Sequence, residues 1–240
     1  MNNLLDRTLG DIVAEDFRTA AVFDHFQLDF CCGGQQTLRQ TCARQLLQES
    51  VILEALLETR LQPAVGQHDF RSWPLDLLCD YIEKTHHRYV REKGPELLRY
   101  LDKIASVHGA NHPELREVAQ LFRESNQDLQ HHLAKEEAIL FPWIRKMEAA
   151  KISHAAPGIP VFGKVENPVR VMLQEHDAEG ARFRKMSALT HGFAIPADAC
   201  STYQTAFKLL REFEQDLHQH IHLENNILFP GAAELEKSFA

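Results

Sequence analysis

Histidine and glutamate recur at a fixed spacing in two copies of one segment. Residues 128–142 (DLQHHLAKEEAILFP) return 88 positions later as residues 216–230 (DLHQHIHLENNILFP), and eight of the fifteen positions are identical. Within each copy a histidine is followed four residues later by a glutamate. One further histidine precedes the repeated histidine by 45 residues in the first case and by 44 in the second. The six residues selected in this way are His87, His132, Glu136, His176, His220 and Glu224.

The helical phase of these residues predicts that they face a core. In the second copy an apolar stripe runs through Leu217, Ile221 and Leu228. His220 and Glu224 fall within that stripe or beside it, and side chains four residues apart project from the same side of a helix. A carboxylate buried there without a partner costs on the order of several kcal/mol. A metal ion would supply the partner, whereas the competing interpretation is a duplication whose polar residues merely fill a core.

The donor types in this set favour iron over structural zinc. The set contains four histidines, two glutamates and no cysteine, whereas a structural zinc ion takes four ligands and often thiolates. Two carboxylates on facing helices can bridge two metal ions. We therefore expect two non-haem iron ions that share Glu136 and Glu224. Two histidines would bind each iron, and an oxo or hydroxo bridge and a small exogenous ligand would complete the site.

Two aspartates stand one helical turn before the repeated histidines. Asp128 precedes His132 by four residues, and Asp216 precedes His220 by the same distance. Each is a candidate to accept the second ring N–H of its histidine. The alternative is an aspartate that faces water, as most helical aspartates do.

The remaining histidines of the helices leave one ambiguity. His86 fits the apolar phase of its helix slightly better than His87, whereas the spacing of the two copies favours His87. His131 lacks a carboxylate four residues on, so we expect it to be exposed or to neighbour the site. His218 and His222 lie about 200° around the helix from the repeated histidine, so we expect both to be exposed.

Apolar residues at three- and four-residue spacing predict an all-α protein. The duplicated helix pair predicts a four-helix bundle with pseudo-two-fold symmetry. The proline-containing stretch 62–74 predicts a boundary between a small helical N-terminal domain, residues 1–65, and the bundle, residues 66–240. The expected helices are residues 11–26, 36–61, 74–93, 95–107, 113–149, 167–190 and 197–230.

The composition excludes several classes of partner. The 240 residues include 26 Lys+Arg against 34 Asp+Glu, a net charge of −8, which argues against binding to a nucleic-acid backbone. The longest unbroken apolar run, residues 139–144, is too short for a membrane span. Residues 1–7 lack the basic start and apolar run of a signal peptide. We expect a cytoplasmic protein that binds neither nucleic acid nor membrane, and the sequence leaves open whether it forms a homodimer.

Two of the five cysteines, Cys31 and Cys32, are adjacent and precede Gly33 and Gly34. Adjacent cysteines form at best a strained disulfide, so we expect thiols in the cytosol. A helix that begins near Gln36 would favour a thiolate through its dipole. The pair therefore predicts a redox, nitrosation or metal-transfer site, and the alternative is a simple turn. The other three are expected in the core: Cys42, Cys79 and Cys200.

Several of these motifs resemble a known family. The paired H-x-x-x-E helices that end in Ile-Leu-Phe-Pro resemble hemerythrin-like di-iron domains. The N-terminal Leu9-Gly10-Asp11 and the run DFCCGGQQTL, residues 29–38, resemble the small domain that precedes such a bundle in the YtfE/ScdA family. The resemblance covers essentially the whole chain. It implies the same six metal ligands as the repeat, and His86 stands where the family leads us to expect an aromatic residue such as tyrosine.

The family consists of di-iron proteins for repair of iron–sulfur clusters after nitrosative and oxidative damage. The resemblance implies a stress-response protein that binds or reduces nitric oxide, or binds oxygen, at its iron pair. It also implies damaged iron–sulfur proteins as partners, and leaves open whether the protein turns over as a nitric oxide reductase. Two other functions stay open: a hemerythrin-like oxygen carrier, and an iron- or gas-responsive sensor that recruits a partner protein.

Overall fold

The apolar periodicity produces a molecule made of helices, and the prediction of an all-α fold is confirmed. The computed structural model describes residues 2–62 and 68–239, so the predicted domain boundary at residues 65 and 66 lies outside the described residues. Within these ranges the only strand-like pairing is an isolated bridge between Thr8 and Thr37. None of the helices described combines the length and the apolar character that crossing a membrane requires.

The described helices fall into two groups along the chain. The N-terminal group is α1 (Asn2–Leu5), α2 (Leu9–Glu15), α3 (Thr19–His25), α4 (Leu38–Gln45) and α5 (Glu49–Leu61). A short 3-10 turn (Phe70–Ser72) precedes the second group. That group is α6 (Leu75–Ile82), π1 (Glu83–His87), α7 (Arg88–His108), α8 (Glu114–Lys135), π2 (Glu136–Leu140), α9 (Phe141–Ile152), α10 (Glu166–Leu189), α11 (Ser201–Leu223), π3 (Glu224–Leu228) and α12 (Phe229–Lys237).

The second group forms a bundle of four long helical stretches. In it α7 packs against α8 and α11, and α8 packs against α10. Three buried phenylalanines fill its centre, one each from α8, α10 and α11. The rings of Phe183 and Phe213 stack with centroids 6.0 Å apart, and Phe122 meets Phe213 edge-on at 5.2 Å. This aromatic layer joins the helices of the first copy of the repeat to those of the second.

Helix α7 runs through Pro95, where the sequence predicted two separate helices, 74–93 and 95–107. Its neighbour Gly94 is buried, and a Cβ there would lie 2.1 Å from Asn126 Oδ1 on α8. The two helices therefore approach closely at this point. Their packing against each other outweighs the hydrogen bond that the proline removes from the helix.

The predicted N-terminal helices 11–26 and 36–61 are each broken in two. Helix α4 begins only after Thr37, which forms a capping box with Gln40. It ends at Gln45, because the next residue, Leu46, has a φ of 57°, in the left-handed region. Apolar periodicity continues across such breaks, and so it could not reveal them.

The N-terminal helices pack onto the bundle. Their buried residues, such as Ile12, Phe23 and Leu38, belong to one continuous apolar cluster with Phe183 and Ile221 of the bundle. The face of α11 that the bundle alone would leave to solvent is therefore partly covered.

Candidate metal centre

Three π-helical segments interrupt the long helices at residues that the sequence predicts to bind metal. His87 is the last residue of π1, whereas Glu136 and Glu224 are the first residues of π2 and π3. A π-helical turn is wider than an α-helical one and occurs frequently at functional sites. These turns change the direction in which the side chains leave the helix. The regular helical periodicity of the sequence carries no signal for them.

Four of the predicted residues meet at a first position in the bundle. The ligand atoms of His87, Glu136, His220 and Glu224 all lie within 4.8 Å of one another. His87 Nε2 is 3.4 Å from Glu136 Oε2 and 3.9 Å from Glu224 Oε1. His220 Nε2 is 2.9 Å from Glu224 Oε1. Three helical stretches of the bundle therefore direct their polar side chains to one point.

A second position adjoins the first. The ligand atoms of His132, Glu136, His176 and Glu224 also lie within 4.8 Å of one another. His132 Nε2 is 3.3 Å from Glu136 Oε2, and His176 Nε2 is 3.2 Å from Glu224 Oε2. Because both glutamates belong to both groups, they lie between the two positions.

The burial of these six side chains shows that the set fits metal ions. Each is at most 3% exposed. His87 Nε2, both carboxylate oxygens of Glu136 and Glu224 Oε2 have no hydrogen-bond partner among the described residues. Buried polar atoms are rarely left in that state. A cation at each position would accept their lone pairs, and donors of nitrogen and oxygen without sulfur suit iron.

The carboxylates hold protons on the neighbouring imidazoles. Burial opposes the charged form of His87, but Glu136 and Glu224 outweigh it and raise its pKa to about 9. Burial likewise opposes the charged form of His132, and the Glu136 carboxylate outweighs it and raises the pKa to about 10. Burial also opposes the charged form of Glu224, yet the His220 charge and the close contacts with the surrounding histidines lower its pKa well below its usual range. Binding of a metal ion must therefore displace protons.

Comparison with known proteins places this bundle in a family. Residues 80–232 match the hemerythrin HHE cation binding domain, and residues 5–60 match ScdA_N, a domain of unknown function (DUF542). The chain is 35% identical over 227 residues to the iron-sulfur cluster repair protein YtfE of Musicola paradisiaca (strain Ech703). That alignment covers 95% of this chain and 96% of the relative. The chain belongs to the YtfE family.

Two further members of the YtfE family show the same coverage. The YtfE of Edwardsiella ictaluri (strain 93-146) is 35% identical over 228 residues, and that of Escherichia coli O81 (strain ED1a) is 34% identical over 227 residues. The resemblance that the motifs indicated is thereby confirmed. A hemerythrin-like domain with these histidine and glutamate groups is a metal-binding domain.

In this member of the YtfE family, polar side chains orient three of the four histidines. Each of these polar side chains accepts a hydrogen bond from the Nδ1 of its histidine, so that Nε2 faces the cluster and can offer its lone pair to a metal ion once it has lost its proton. The three contacts are His87 Nδ1 to Glu137 Oε1 at 2.8 Å, His132 Nδ1 to Glu175 Oε2 at 2.8 Å, and His176 Nδ1 to Asn225 Oδ1 at 2.7 Å.

Asp128 and Asp216, the candidates to accept the second ring N–H of His132 and His220, do not accept them, since His132 Nδ1 contacts Glu175 and His220 Nδ1 has no partner among the described residues. Asp128 is exposed and pairs with Arg182 at 2.7 Å, and Asp216 Oδ1 lies 2.9 Å from His86 Nδ1. In each copy of the repeat, the residue directly after the predicted glutamate ligand contacts the histidine that precedes that copy. Glu137 contacts His87, and Asn225 contacts His176. The repeat contained this signal, because the two positions are equivalent in its two copies.

His86, the alternative to His87, is buried but belongs to neither group. Its ring stacks on that of His220 with centroids 5.5 Å apart, while Asp216 holds its Nδ1. The geometry therefore favours His87, as the spacing of the copies did. His131 is exposed.

The expectation that His218 and His222 are exposed is wrong. His222 is 1% exposed, and its ring lies 6.1 Å from that of Phe17 and 5.9 Å from that of Phe30, between centroids. Its Nδ1 accepts a hydrogen bond from Asn226 Nδ2 at 3.1 Å. The side chain of His218 is only 26% exposed. The N-terminal segment covers this face of α11, which the sequence of the helix alone could not show.

The loop that carries Cys31 and Cys32 lies against the metal cluster. Cys32 Sγ is 3.4 Å from the backbone oxygen of His176. The backbone oxygen of Cys31 accepts a hydrogen bond from Asn225 Nδ2 at 3.1 Å. Because Asn225 also contacts the His176 ring, one amide joins the cysteine loop to the metal cluster.

The surroundings of Cys31 do not favour its thiolate, although the sequence predicted that they would. The adjoining Cys32 thiol, burial and the Asp29 carboxylate raise the pKa of Cys31 well above its ordinary value. The first N–H groups of α4 have other partners: that of Gln40 donates to the Thr37 side chain, and that of Leu38 donates to the Arg7 backbone oxygen.

The other cysteines divide between core and surface. Cys42 and Cys79 are buried as expected, whereas Cys200 is exposed and was wrongly assigned to the core. Its Sγ lies 3.2 Å from His108 Nε2, and this hydrogen bond lowers the pKa of Cys200 to about 7.

A cavity of about 290 Å³ opens beside the second metal position. His132 and His176 line it, together with Lys135 and Glu175, which form an ion pair. The cavity gives a small molecule a way to approach these two histidines.

Proposed function

We propose that this chain repairs iron–sulfur clusters damaged by nitrosative or oxidative stress, and that it binds or reduces nitric oxide at a pair of non-haem irons. The YtfE proteins that it resembles are named for iron–sulfur cluster repair. The observation that carries the proposal is the buried set of unpartnered ligand atoms at two adjoining positions that share Glu136 and Glu224.

In this proposal two histidines would hold each iron, and Glu136 and Glu224 would serve both positions. When bound, an iron pair supplies one-electron redox chemistry and coordination positions for a small ligand such as nitric oxide or oxygen. The helices exclude bulk water from the six side chains, and the outer acceptors keep each oriented ring in the tautomer that binds metal. The proposed ligands are His87 and His220 at the first position, His132 and His176 at the second, and Glu136 and Glu224 at both.

The N-terminal segment would act together with the bundle. We assign residues 1–65 to a small domain that presents Cys31 and Cys32 as a thiol site, and residues 66–240 to the bundle. The contacts of this loop with His176 and Asn225 support a joint role, because they place the thiols beside the metal cluster. Damaged iron–sulfur proteins of the cytoplasm would be the partners.

Metal content and repair measured on the same samples test this function. We expect two irons per chain after anaerobic purification, and recovery of an iron–sulfur enzyme when the protein is added to a lysate treated with nitric oxide. Glu136→Ala and Glu224→Ala should lose both properties. Glu148→Ala is the matched control, because Glu148 is also buried but contacts the backbone N–H of Leu75 instead of the cluster.

Three results would contradict the proposal. One tightly bound zinc per chain would exclude the iron pair, and full repair by the glutamate variants would separate repair from the metal. Reversible oxygen binding without any recovery of the enzyme would instead indicate an oxygen carrier.

A further inference from the structure

We propose that Asp29, Cys31 and Cys32 form a second metal site, which binds one thiophilic divalent cation such as Fe²⁺, Zn²⁺ or Co²⁺. The three side chains each offer one ligand atom, and these atoms lie within 4.8 Å of one another. This inference goes beyond the proposed function, in which the two cysteines act as thiols, and it does not depend on the iron pair.

The spacing of the donor atoms matches a tetrahedral cation. The two Sγ atoms are 3.8 Å apart, and Cys31 Sγ is 3.4 Å from Asp29 Oδ1. Metal–sulfur bonds of about 2.3 Å at tetrahedral angles place two sulfurs about 3.8 Å apart. A metal–oxygen bond of about 2.0 Å places that oxygen about 3.5 Å from each sulfur. These two distances match a bound cation to within about 0.1 Å, and Cys32 Sγ lies within 4.8 Å of the ligand oxygen of Asp29. A disulfide would instead need the sulfurs at about 2.05 Å.

Hydrogen bonds in the loop hold Asp29 in place for this role. Its Oδ1 accepts the backbone N–H groups of Cys32 at 2.9 Å and Gly33 at 3.1 Å, while its Oδ2 pairs with Arg184 at 3.0 Å. The thiol of Cys31 also donates to Oδ1. Cation binding would replace that thiol contact with metal–sulfur and metal–oxygen bonds and would release one proton from each cysteine.

The bundle leaves space for the second sulfur. A Cβ on Gly180 of α10 would lie 3.2 Å from Cys32 Sγ, so the absence of a side chain there allows the sulfur to sit against the helix. Cys32 is partly exposed, and solvent can therefore reach the site. Three protein ligands leave one tetrahedral position open, as in sites that exchange a ligand.

The location of this site, beside the metal cluster, suits it to bind iron as cargo. Cys32 Sγ contacts the backbone oxygen of His176, and Asn225 links the Cys31 carbonyl to the His176 ring. The site thus adjoins the buried metal cluster, while its Cys32 is partly exposed to solvent. An iron ion on its way between that cluster and a client protein would meet two thiolates and a carboxylate here.

Cobalt titration of the full-length, iron-loaded protein tests the site. The experiment is performed anaerobically with the irons ferrous, and the signal is the thiolate-to-cobalt charge-transfer absorption in the near ultraviolet. The six proposed ligands of the bundle include no sulfur, so this band reports cysteine coordination alone. We expect it to saturate at one Co²⁺ per chain, with two protons released. Iron content is measured on the same samples, and absence of the iron pair would not remove the band.

Three variants make the test specific. Cys31→Ser/Cys32→Ser should abolish the band. Asp29→Asn keeps an oxygen for the two backbone N–H groups but loses the charge, and it should weaken cobalt binding about tenfold or more. Cys200→Ser is the control for an exposed cysteine elsewhere, and it should keep the full band. No band in the unmodified protein, a band that survives in the double variant, or unchanged affinity in Asp29→Asn would overturn the proposal.

Discussion

The amide of Asn225 makes two contacts that mutation can separate. Its Oδ1 accepts from His176 Nδ1 at 2.7 Å, and its Nδ2 donates to the Cys31 backbone oxygen at 3.1 Å. Asn225→Ala removes both. We expect it to weaken iron binding at the second position, because the His176 ring loses the partner that fixes its orientation and tautomer.

The size of the effect follows from the burial of His176. Its ring is 2% exposed, so the N–H left without an acceptor costs about 1–3 kcal/mol. Loss of such an outer partner lowers metal affinity about 10- to 100-fold, which corresponds to about 1.4–2.8 kcal/mol. The two estimates agree. The first position should be less affected, because Glu137 still holds His87.

The assay is competition for Fe²⁺ between the full-length protein and a ferrous chelator under anaerobic conditions. Asn226→Ala is the matched control, because Asn226 belongs to the same π3 segment and contacts Phe30 and His222 but no proposed ligand. Asn225→Asp restores an oxygen for His176 while removing the donor to Cys31, so it should bind iron at least as tightly as the unmodified protein. Wild-type affinity in Asn225→Ala, or an equal loss in Asn226→Ala, would refute the argument.

Three other predictions follow from the same geometry. Glu136→Ala or Glu224→Ala should each remove iron from both positions, since each carboxylate adjoins both, and elemental analysis should find well under one iron per chain. His222→Ala should keep its iron but lose about 2 kcal/mol of stability in urea unfolding, because a buried ring is removed from between two others; iron loss equal to that of the glutamate variants would contradict this. Cys200, with its pKa lowered to about 7 by the hydrogen bond from His108, should be alkylated by iodoacetamide at a rate that rises through pH 7. His108→Ala should move that midpoint to higher pH in peptide-resolved mass spectrometry, and an unchanged midpoint would show that the hydrogen bond is absent in solution.

The six proposed ligands could be predicted because the same motif occurs twice in the chain, so that one copy could be compared with the other. A single histidine and glutamate four residues apart is common on helix surfaces, but two copies in phase, each with an earlier histidine at matched distance, is not. The helical phase of His220 and Glu224 then indicated burial, and the structure places them at 1% and 0% exposure. Local periodicity is sufficient here, because a helix fixes which side chains share a face.

Contacts between distant segments could not be predicted in the same way. The burial of His222 depends on Phe17 and Phe30, which lie about 200 residues earlier in the chain. The π segments change the direction of Glu136 and Glu224 without altering the apolar pattern. An orienting aspartate one turn earlier was a reasonable expectation from sequence, yet a wider turn brings the residue after the glutamate into that role instead.

The two copies of the repeat differ at one functional position, and the difference has a physical reason. In the first copy Glu137 orients His87, and Arg91 balances its charge through two contacts of 2.7 and 2.8 Å. In the second copy Asn225 takes the equivalent place. A carboxylate there could accept from the histidine, but it could not donate to the Cys31 carbonyl, and it would place a charge against that oxygen. The amide serves both contacts, so the second half of the duplication carries the additional task of docking the cysteine loop. The amide makes His176 a weaker metal ligand, because an imidazole hydrogen-bonded to an amide is a weaker donor than one hydrogen-bonded to a carboxylate.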